Sequence, residues 1–399
     1  MHEILVDGQH GFRKRRSCET QLILTTDDLA AEIDAGGQTD IILLDFAKAF
    51  DKVPHQRLLM TLDHYGIRGK TLKWIACFLA DRSQQVVVEG QMSATGAVLS
   101  GVPQGSVIGP TLFLIFINDL CNDVNATVRL FADDTALYSQ VATQADADRL
   151  QADLTKLGEW VRTWQMEYNV GKCLILTVTN KKTTIKATYT LHDQALTRVD
   201  SAKYLGLEFT NSLHWGKHAH AVAAKANRAS AFLYRNIRDC PRNVQTRCYK
   251  SLARPMLEYA STVWSPYQQG LINDIEMVQR RAARRILRDY RTTTSATALV
   301  NQLGLHQLET RRNNNKAALM YKIMNGLVDV TPRTGVIVPT SRRTRGQEGK
   351  LLVPYSRTNT MLHSFFPSAI RIWNSLPPAI ASSASIDDFK AAMEYWSQT

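Results

Sequence analysis

The chain has 399 residues, 44% of them hydrophobic, which sets aside a disordered chain and leaves room for two or three domains with ordinary cores. Lys and Arg number 48 against 36 Asp and Glu, and the formal charge of +12 favours a polyanionic partner, nucleic acid first and an acidic membrane surface second. Six scattered cysteines without a Cys-x-x-Cys pair exclude a zinc knuckle or finger and read as reduced thiols of an intracellular protein.

Met1-His2-Glu3-Ile4 leads quickly to polar residues, so no signal peptide is expected. The longest apolar run, Val107 to Ile117, is broken by Gly109-Pro110 and is too short to span a bilayer. The expected location is intracellular, nuclear or cytoplasmic. Arg13-Lys14-Arg15-Arg16 reads as a basic finger touching nucleic acid at least as well as a nuclear address. A helix follows Ser17, with Leu22, Leu24, Leu29 and Ile33 on its inner face and Gly36-Gly37 at its end. Ile41-Ile42-Leu43-Leu44 then reads as a strand buried on both faces, and it ends in Asp45. A charge at the end of such a strand is costly unless it is paired or metal-bound.

Beyond Val53-Pro54 the pattern predicts helices over about 56–65 and 70–79 and a strand over 85–89. Gly101-Val102-Pro103-Gln104-Gly105-Ser106-Val107-Ile108-Gly109-Pro110 is a glycine- and proline-rich loop that lets the backbone approach a ligand before an apolar helix over 111–120. Gln104 is its polar side chain able to reach a sugar or base; the plainer alternative is a strand-to-helix turn. Val128 to Ser139 reads as a β-hairpin with Asp133 and Asp134 at its tip. Alone, Asp-Asp is more often turn chemistry. Beside a buried strand ending in Asp45, two adjacent carboxylates suit a hard divalent cation such as Mg²⁺.

An amphipathic helix is predicted over 144–164, with Leu150, Leu154, Leu157 and Val161 on one face. Asn169-Val170-Gly171-Lys172-Cys173 turns into a strand over 174–179, and strand-like stretches follow at 184–191 and 203–209. From about Asn211 the pattern becomes helical, over 216–238, 243–260, 271–290 and 310–325. The third of these helices carries Arg280, Arg281, Arg284, Arg285 and Arg288, which read as phosphate contacts or as a solvated charged face. Residues 330–360 look like a basic linker, and 361–399 a small apolar unit around Trp373 to Pro378.

Nucleotidyl transfer requires carboxylates from two neighbouring rigid elements to hold two metals about 3.5–4 Å apart. In that light the ordered set Leu44-Asp45-Phe46-Ala47-Lys48-Ala49-Phe50-Asp51, Gly101 to Ser106, Phe131-Ala132-Asp133-Asp134, Gly171-Lys172-Cys173 and Tyr204-Leu205-Gly206 resembles the reverse transcriptase domain of non-LTR retrotransposons, above all the jockey-like and CR1-like elements. Gln9-His10-Gly11-Phe12-Arg13 and the segments at 259–264, 279–286 and 373–377 extend the resemblance over nearly the whole chain.

The resemblance implies an α+β right-hand polymerase: truncated fingers and palm with a ferredoxin-like antiparallel sheet over 1–210, a helical thumb over 211–300, a connecting helix over 301–329, then the linker and C-terminal unit. It implies Asp45 and Asp133 as ligands of two Mg²⁺ ions (Mn²⁺ as substitute), with the Phe46 carbonyl added and Asp134 as the third acidic residue of the metal site, orienting the primer end more than binding metal. Phe50 would be the steric gate against a 2′-hydroxyl, Gln104 and Gly105 the nucleotide lining, and Lys172 the group that protonates or neutralises pyrophosphate. Tyr204, Leu205 and Gly206 would grip the primer; Arg13 and the helix arginines would contact nucleic acid. RNA template, DNA primer and deoxynucleoside triphosphates are the implied partners. In the family, further finger strands and an endonuclease precede the segment at Gln9, so a truncated copy is expected. The competing expectation is a non-catalytic nucleic-acid-binding remnant that kept the palm.

Overall fold

The computed structural model describes residues 4–340 and 349–396, and the chain divides into two compact units. The first comprises Met1–Gln21 and Gly37–Asp200; the second comprises Leu22–Gly36 and Ser201–Thr399.

The first unit is built on a five-stranded sheet whose central strand is Gln38–Leu44. That strand pairs antiparallel with Asp134–Gln140 on one side and with Leu174–Thr179 on the other. Thr127–Phe131 and Thr197–Val199 form the edges, the latter parallel to its neighbour. Burial on both faces was legible in the run Ile41–Leu44, and Ile41, Ile42 and Leu44 are buried. The strand also starts earlier than the apolar run, at Gln38-Thr39-Asp40, because its polar groups find partners inside. Asp40 is fully buried and accepts hydrogen bonds from Tyr189 Oη (2.9 Å), Thr177 Oγ1 (2.8 Å) and Gln38 Nε2 (3.2 Å), with Arg198 3.5 Å away. A buried carboxylate is tolerable only when satisfied in this way.

Against the sheet pack the helix Gly109–Phe116, apolar on all sides and buried through Leu112, Phe113, Leu114, Ile115 and Phe116, and the helix Gln144–Thr163. The latter begins at a capping box: Thr143 accepts from the Asp146 N–H while the Asp146 carboxylate accepts from the Thr143 N–H. Leu150, Leu154, Leu157 and Val161 face the core as their spacing predicts. The apolar helix expected over 111–120 stops at Phe116, since Ile117 to Leu120 form turns. The strand expected over 85–89 is instead an exposed double ribbon, Arg82–Gln84 with Gly96–Val98 and Val87–Val88 with Gln91–Met92. Only Thr190–Leu191 of the stretch at 184–191 is a strand, because it meets Gln194–Ala195 across a tight turn.

The second unit is mainly helical. Its strand-like stretch at 203–209 is a hairpin, Ser201–Tyr204 with Leu207–Thr210, because Leu205 and Gly206 both adopt positive φ and reverse the chain. The helix expected over 243–260 is interrupted by a π segment at Tyr249–Ala253 and ends at Glu258, after which Ala260 at φ +47 starts a separate turn, Ser261–Trp264. The arginine-bearing helix is Gln269–Leu287, with Arg288 in the left-handed conformation as its C-cap rather than inside it. Ala296–Gln302 is a helix that the pattern did not reveal. Within the basic stretch at 330–360, Leu351 pairs with Asn374 through N–H to Oδ1 (2.9 Å), and the Asp34 carboxylate accepts from the Thr358 N–H (2.6 Å). Residues 341–348 of that stretch, and 397–399 of the C-terminal unit, lie outside the described residues.

Candidate nucleotidyl-transfer site

The central strand delivers Asp45 at its C-terminal end. Its backbone is fixed there by the neighbouring segment: Asn169 N donates to Asp45 O (2.7 Å), Ala47 N donates to Glu167 O (2.8 Å), and Phe46 bridges Tyr168, whose ring it meets at 4.5 Å. The same end of the sheet carries the hairpin. Phe131 pairs with Asp134, so the reversal consists of Ala132 and Asp133, with Ala132 at φ +53. The expected tip at Asp133-Asp134 is thus displaced by one residue, and Asp134 is the first residue of the returning strand. A Cβ in the left-handed region is disfavoured, so the surrounding contacts must hold Ala132 there.

The electrostatics bind these carboxylates together. Burial and the nearby Asp45 raise the Asp133 carboxyl above its ordinary range. Asp134 is pushed up to about 6 by desolvation, then by Asp133 and Asp45, although part of its carboxylate still reaches solvent. Asp133 and Asp134 are thus held away from full ionisation unless positive charge joins them. One source lies within the chain: Lys172 Nζ is 3.5 Å from Asp45 Oδ2. Lys172 is placed by the tight helical turn Val170–Lys172 before the strand Leu174–Thr179. Hard oxygen donors and mutual repulsion suit a hard divalent cation. Among the described residues no three His, Cys, Asp or Glu side chains are grouped closely enough to hold a metal ion.

Phe50 lies at the start of the short helix Ala49–Lys52, half-buried, with its ring stacked on Phe113 (4.3 Å) and met edge-on by Phe12 (6.2 Å). The glycine-rich loop is laced to the same segment. Val102 N donates to Phe50 O (2.8 Å) and Gly101 N to Val53 O (2.8 Å), while Gln104 Nε2 donates to Asp51 Oδ1 (2.8 Å). Gly101 has φ +91, and a Cβ there would lie 2.7 Å from Asp51 O, so a side chain would push the loop off. Gln104 and Gly105 are exposed, and a polar cleft of about 670 Å³ opens beside them, lined in part by Lys48, Asp51, Arg82, Ser100 and Gln104.

The structure thus brings together Asp45, Phe46, Asp133, Asp134 and Lys172, and it ties Phe50 to the Gln104 loop. The remaining predicted residues have their own settings. Arg13 donates to Val6 O (2.7 Å) and so is engaged with its own segment. In the second unit, Leu205 and Gly206 form the hairpin turn after Tyr204, and Tyr259 Oη donates to Leu205 O (3.1 Å). Arg284 donates to the carbonyls of Asp289, Arg291 and Thr294, and Arg288 to that of Arg238 (2.6 Å). Arg281 is exposed and Arg280 and Arg285 are partly so. Two contacts went unforeseen: Asp51 on Gln104, and Gln9 on the Ala132-Asp133 turn. The first has a faint signal in Asp51 ending the Asp45 motif; the second has none, since a glutamine in a basic segment says nothing about its partner.

Comparison with known proteins finds a family that matches the first half of the chain. The profile of the family "Reverse transcriptase (RNA-dependent DNA polymerase)" matches residues 1–209. A Drosophila melanogaster relative named "Probable RNA-directed DNA polymerase from transposon BS" is 29% identical over 333 residues, covering 77% of this chain and 35% of the relative. The RNA-directed DNA polymerase from mobile element jockey of the same species is 26% identical over 296 residues, covering 70% of this chain and 31% of the relative. The chain therefore spans about a third of the length of these curated relatives. A telomerase structure from Candida albicans aligns with a TM-score of 0.40 at 10% identity, over 76% of this chain and 47% of that one, too loosely to carry an argument.

Proposed function

Because this chain belongs to the reverse transcriptase (RNA-dependent DNA polymerase) family, of the non-LTR retrotransposon kind, we propose that it extends a DNA 3′-end on an RNA template by two-metal nucleotidyl transfer. The observation that carries the reading is the strand register, which sets Asp45 beside the Asp133-Asp134 hairpin end at one end of one sheet, with Lys172 3.5 Å from Asp45.

When bound, a pair of divalent ions, Mg²⁺ first and Mn²⁺ as substitute, would activate the 3′-hydroxyl and neutralise the departing pyrophosphate. The carboxylates of Asp45 and Asp133 and the Phe46 carbonyl supply hard oxygen donors for them. Asp134 orients the primer end. Lys172 holds a proton near Asp45 and delivers it, or its charge, to the leaving pyrophosphate. Phe50, braced by Phe113, excludes a 2′-hydroxyl and so selects deoxynucleotides. Gln104, held by Asp51, and Gly105 line the incoming nucleotide. Tyr204, Leu205 and Gly206 grip the primer, and Arg13, Arg280, Arg281, Arg284, Arg285 and Arg288 supply positive charge to the nucleic acid.

Primer extension on an RNA template with Mg²⁺ tests the reading. The parent chain should extend, Asp133→Asn should lower the rate by roughly 10²-fold or more without loss of template–primer binding, and chelation should abolish extension. A parent chain that binds template–primer yet never extends it would sink the proposal. Extension untouched by Asp133→Asn would sink the site assignment.

A further inference from the structure

The segment before the basic run has no part in the chemistry above, yet it lies flush against the hairpin that carries Asp133. His10 N donates to Leu130 O (2.8 Å) and Leu130 N to Gly8 O (2.9 Å), and Gln9 bridges Leu130 in parallel register. The approach is too close for side chains: a Cβ at Gly8 would lie 2.8 Å from Val128 O, and one at Gly11 only 2.3 Å from Ala132 N.

Between these glycines stands Gln9, 2% exposed. Its Oε1 accepts from the N–H of Ala132 (2.9 Å) and from the N–H of Gly11 (2.7 Å). Its Nε2 points at Ala132 O at 3.4 Å, a longer contact. Ala132 is buried, and as a reversal residue at φ +53 it has no ladder partner for its N–H. One amide side chain therefore satisfies the peptide groups of the residue immediately before Asp133. Buried peptide groups left without partners are costly, so the turn depends on this contact for its shape.

We propose that Gln9 is a positioning residue for the catalytic turn: it fixes the Ala132 peptide, and through it the direction in which the Asp133 carboxylate is offered. The proposal rests on the polymerase reading for its consequence, and on the hydrogen bonds alone for its premise. Misplacement of a reacting group by about 1 Å costs on the order of 10²-fold in rate, so a loosened turn should show in turnover before binding.

Gln9→Met keeps the volume and removes the polar atoms; Gln9→Glu keeps the two acceptor contacts. In Gln9→Met the amides of Ala132 and Gly11 should exchange with solvent about tenfold faster or more, while those of Ile41 to Leu44 keep the parent's protection. In extension assays kcat should fall about tenfold or more, with a higher Mg²⁺ requirement and with nucleotide KM and template–primer Kd within about twofold. Gln9→Glu should restore the slow exchange. Unchanged exchange at Ala132, or faster exchange with unchanged kcat and Mg²⁺ dependence, would overturn the proposal. So would a loss of protection through the central strand, which would make Gln9 a fold residue only. A parent chain without extension defeats the polymerase reading, and the exchange comparison still decides whether Gln9 holds the turn.

Discussion

Asp134 and Phe50 each sit in a setting that a single substitution can test. Asp134 titrates near 6 against an ordinary 3.8, chiefly through burial and then through Asp133 and Asp45. A carboxyl held high binds its proton more tightly folded than unfolded, so metal-free stability falls as pH rises from about 4 through 6. Asp134→Asn should therefore stabilise the metal-free chain above pH 6, by on the order of 1 kcal/mol after solvent screening of a partly exposed group, with the gain vanishing near pH 4. Thermal denaturation in chelator at several pH values checks this, and a gain that persists in acid would refute the cause. Phe50→Val removes the ring that rests on Phe113. Discrimination against ribonucleotides should relax about tenfold or more, read as the ratio of kcat/KM values for the two sugars. Both residues stand out in the sequence through their places in the motifs around Asp45 and Asp133. Gln9 does not, because its partner lies more than a hundred positions away.

At the scale of elements, the glycine-rich loop offers the clearest test. Gly101 combines φ +91 with a backbone contact that leaves no room for a methyl group. Gly101→Ala should shift the loop from the Phe50–Val53 segment and raise nucleotide KM several-fold, with a smaller effect on template–primer binding; an unchanged KM would mean the loop does not line the nucleotide. The helices and the central strand were readable from periodicity, since apolar spacing reports burial directly. What periodicity could not report was polar continuation, as with Gln38 to Asp40, whose burial depends on Thr177 and Tyr189. Nor could it find the π segment at Tyr249–Ala253, where a helix departs from its ideal winding without a Pro or Gly to mark it.

For the whole molecule the surplus of +12 sets the expected mode of association. Template–primer affinity should fall linearly in log–log plots against salt, with a slope of about −0.9 per phosphate neutralised. Arg281→Gln should flatten that slope by about 1, whereas Arg284→Gln, which loses three carbonyl contacts after the helix, should first lower stability. The division at Asp200 lies close to the end of the family match at 209, but Leu22–Gly36, inside that match, belongs with the second unit. Chain order gave no hint of that exchange, since burial of Leu22, Leu29 and Ile33 is visible in the sequence but their neighbours are not. The pairing of Phe131 with Asp134 also fixes the register of the returning strand. The returning strand is laddered on both sides, by Thr127–Phe131 and by Gln38–Leu44, so one codon gained or lost inside it would turn every later side chain to the opposite face. A one-residue insertion or deletion between Asp134 and Gln140 should therefore abolish cooperative unfolding of the expressed chain, whereas substitution of the exposed Gln140 should leave it intact.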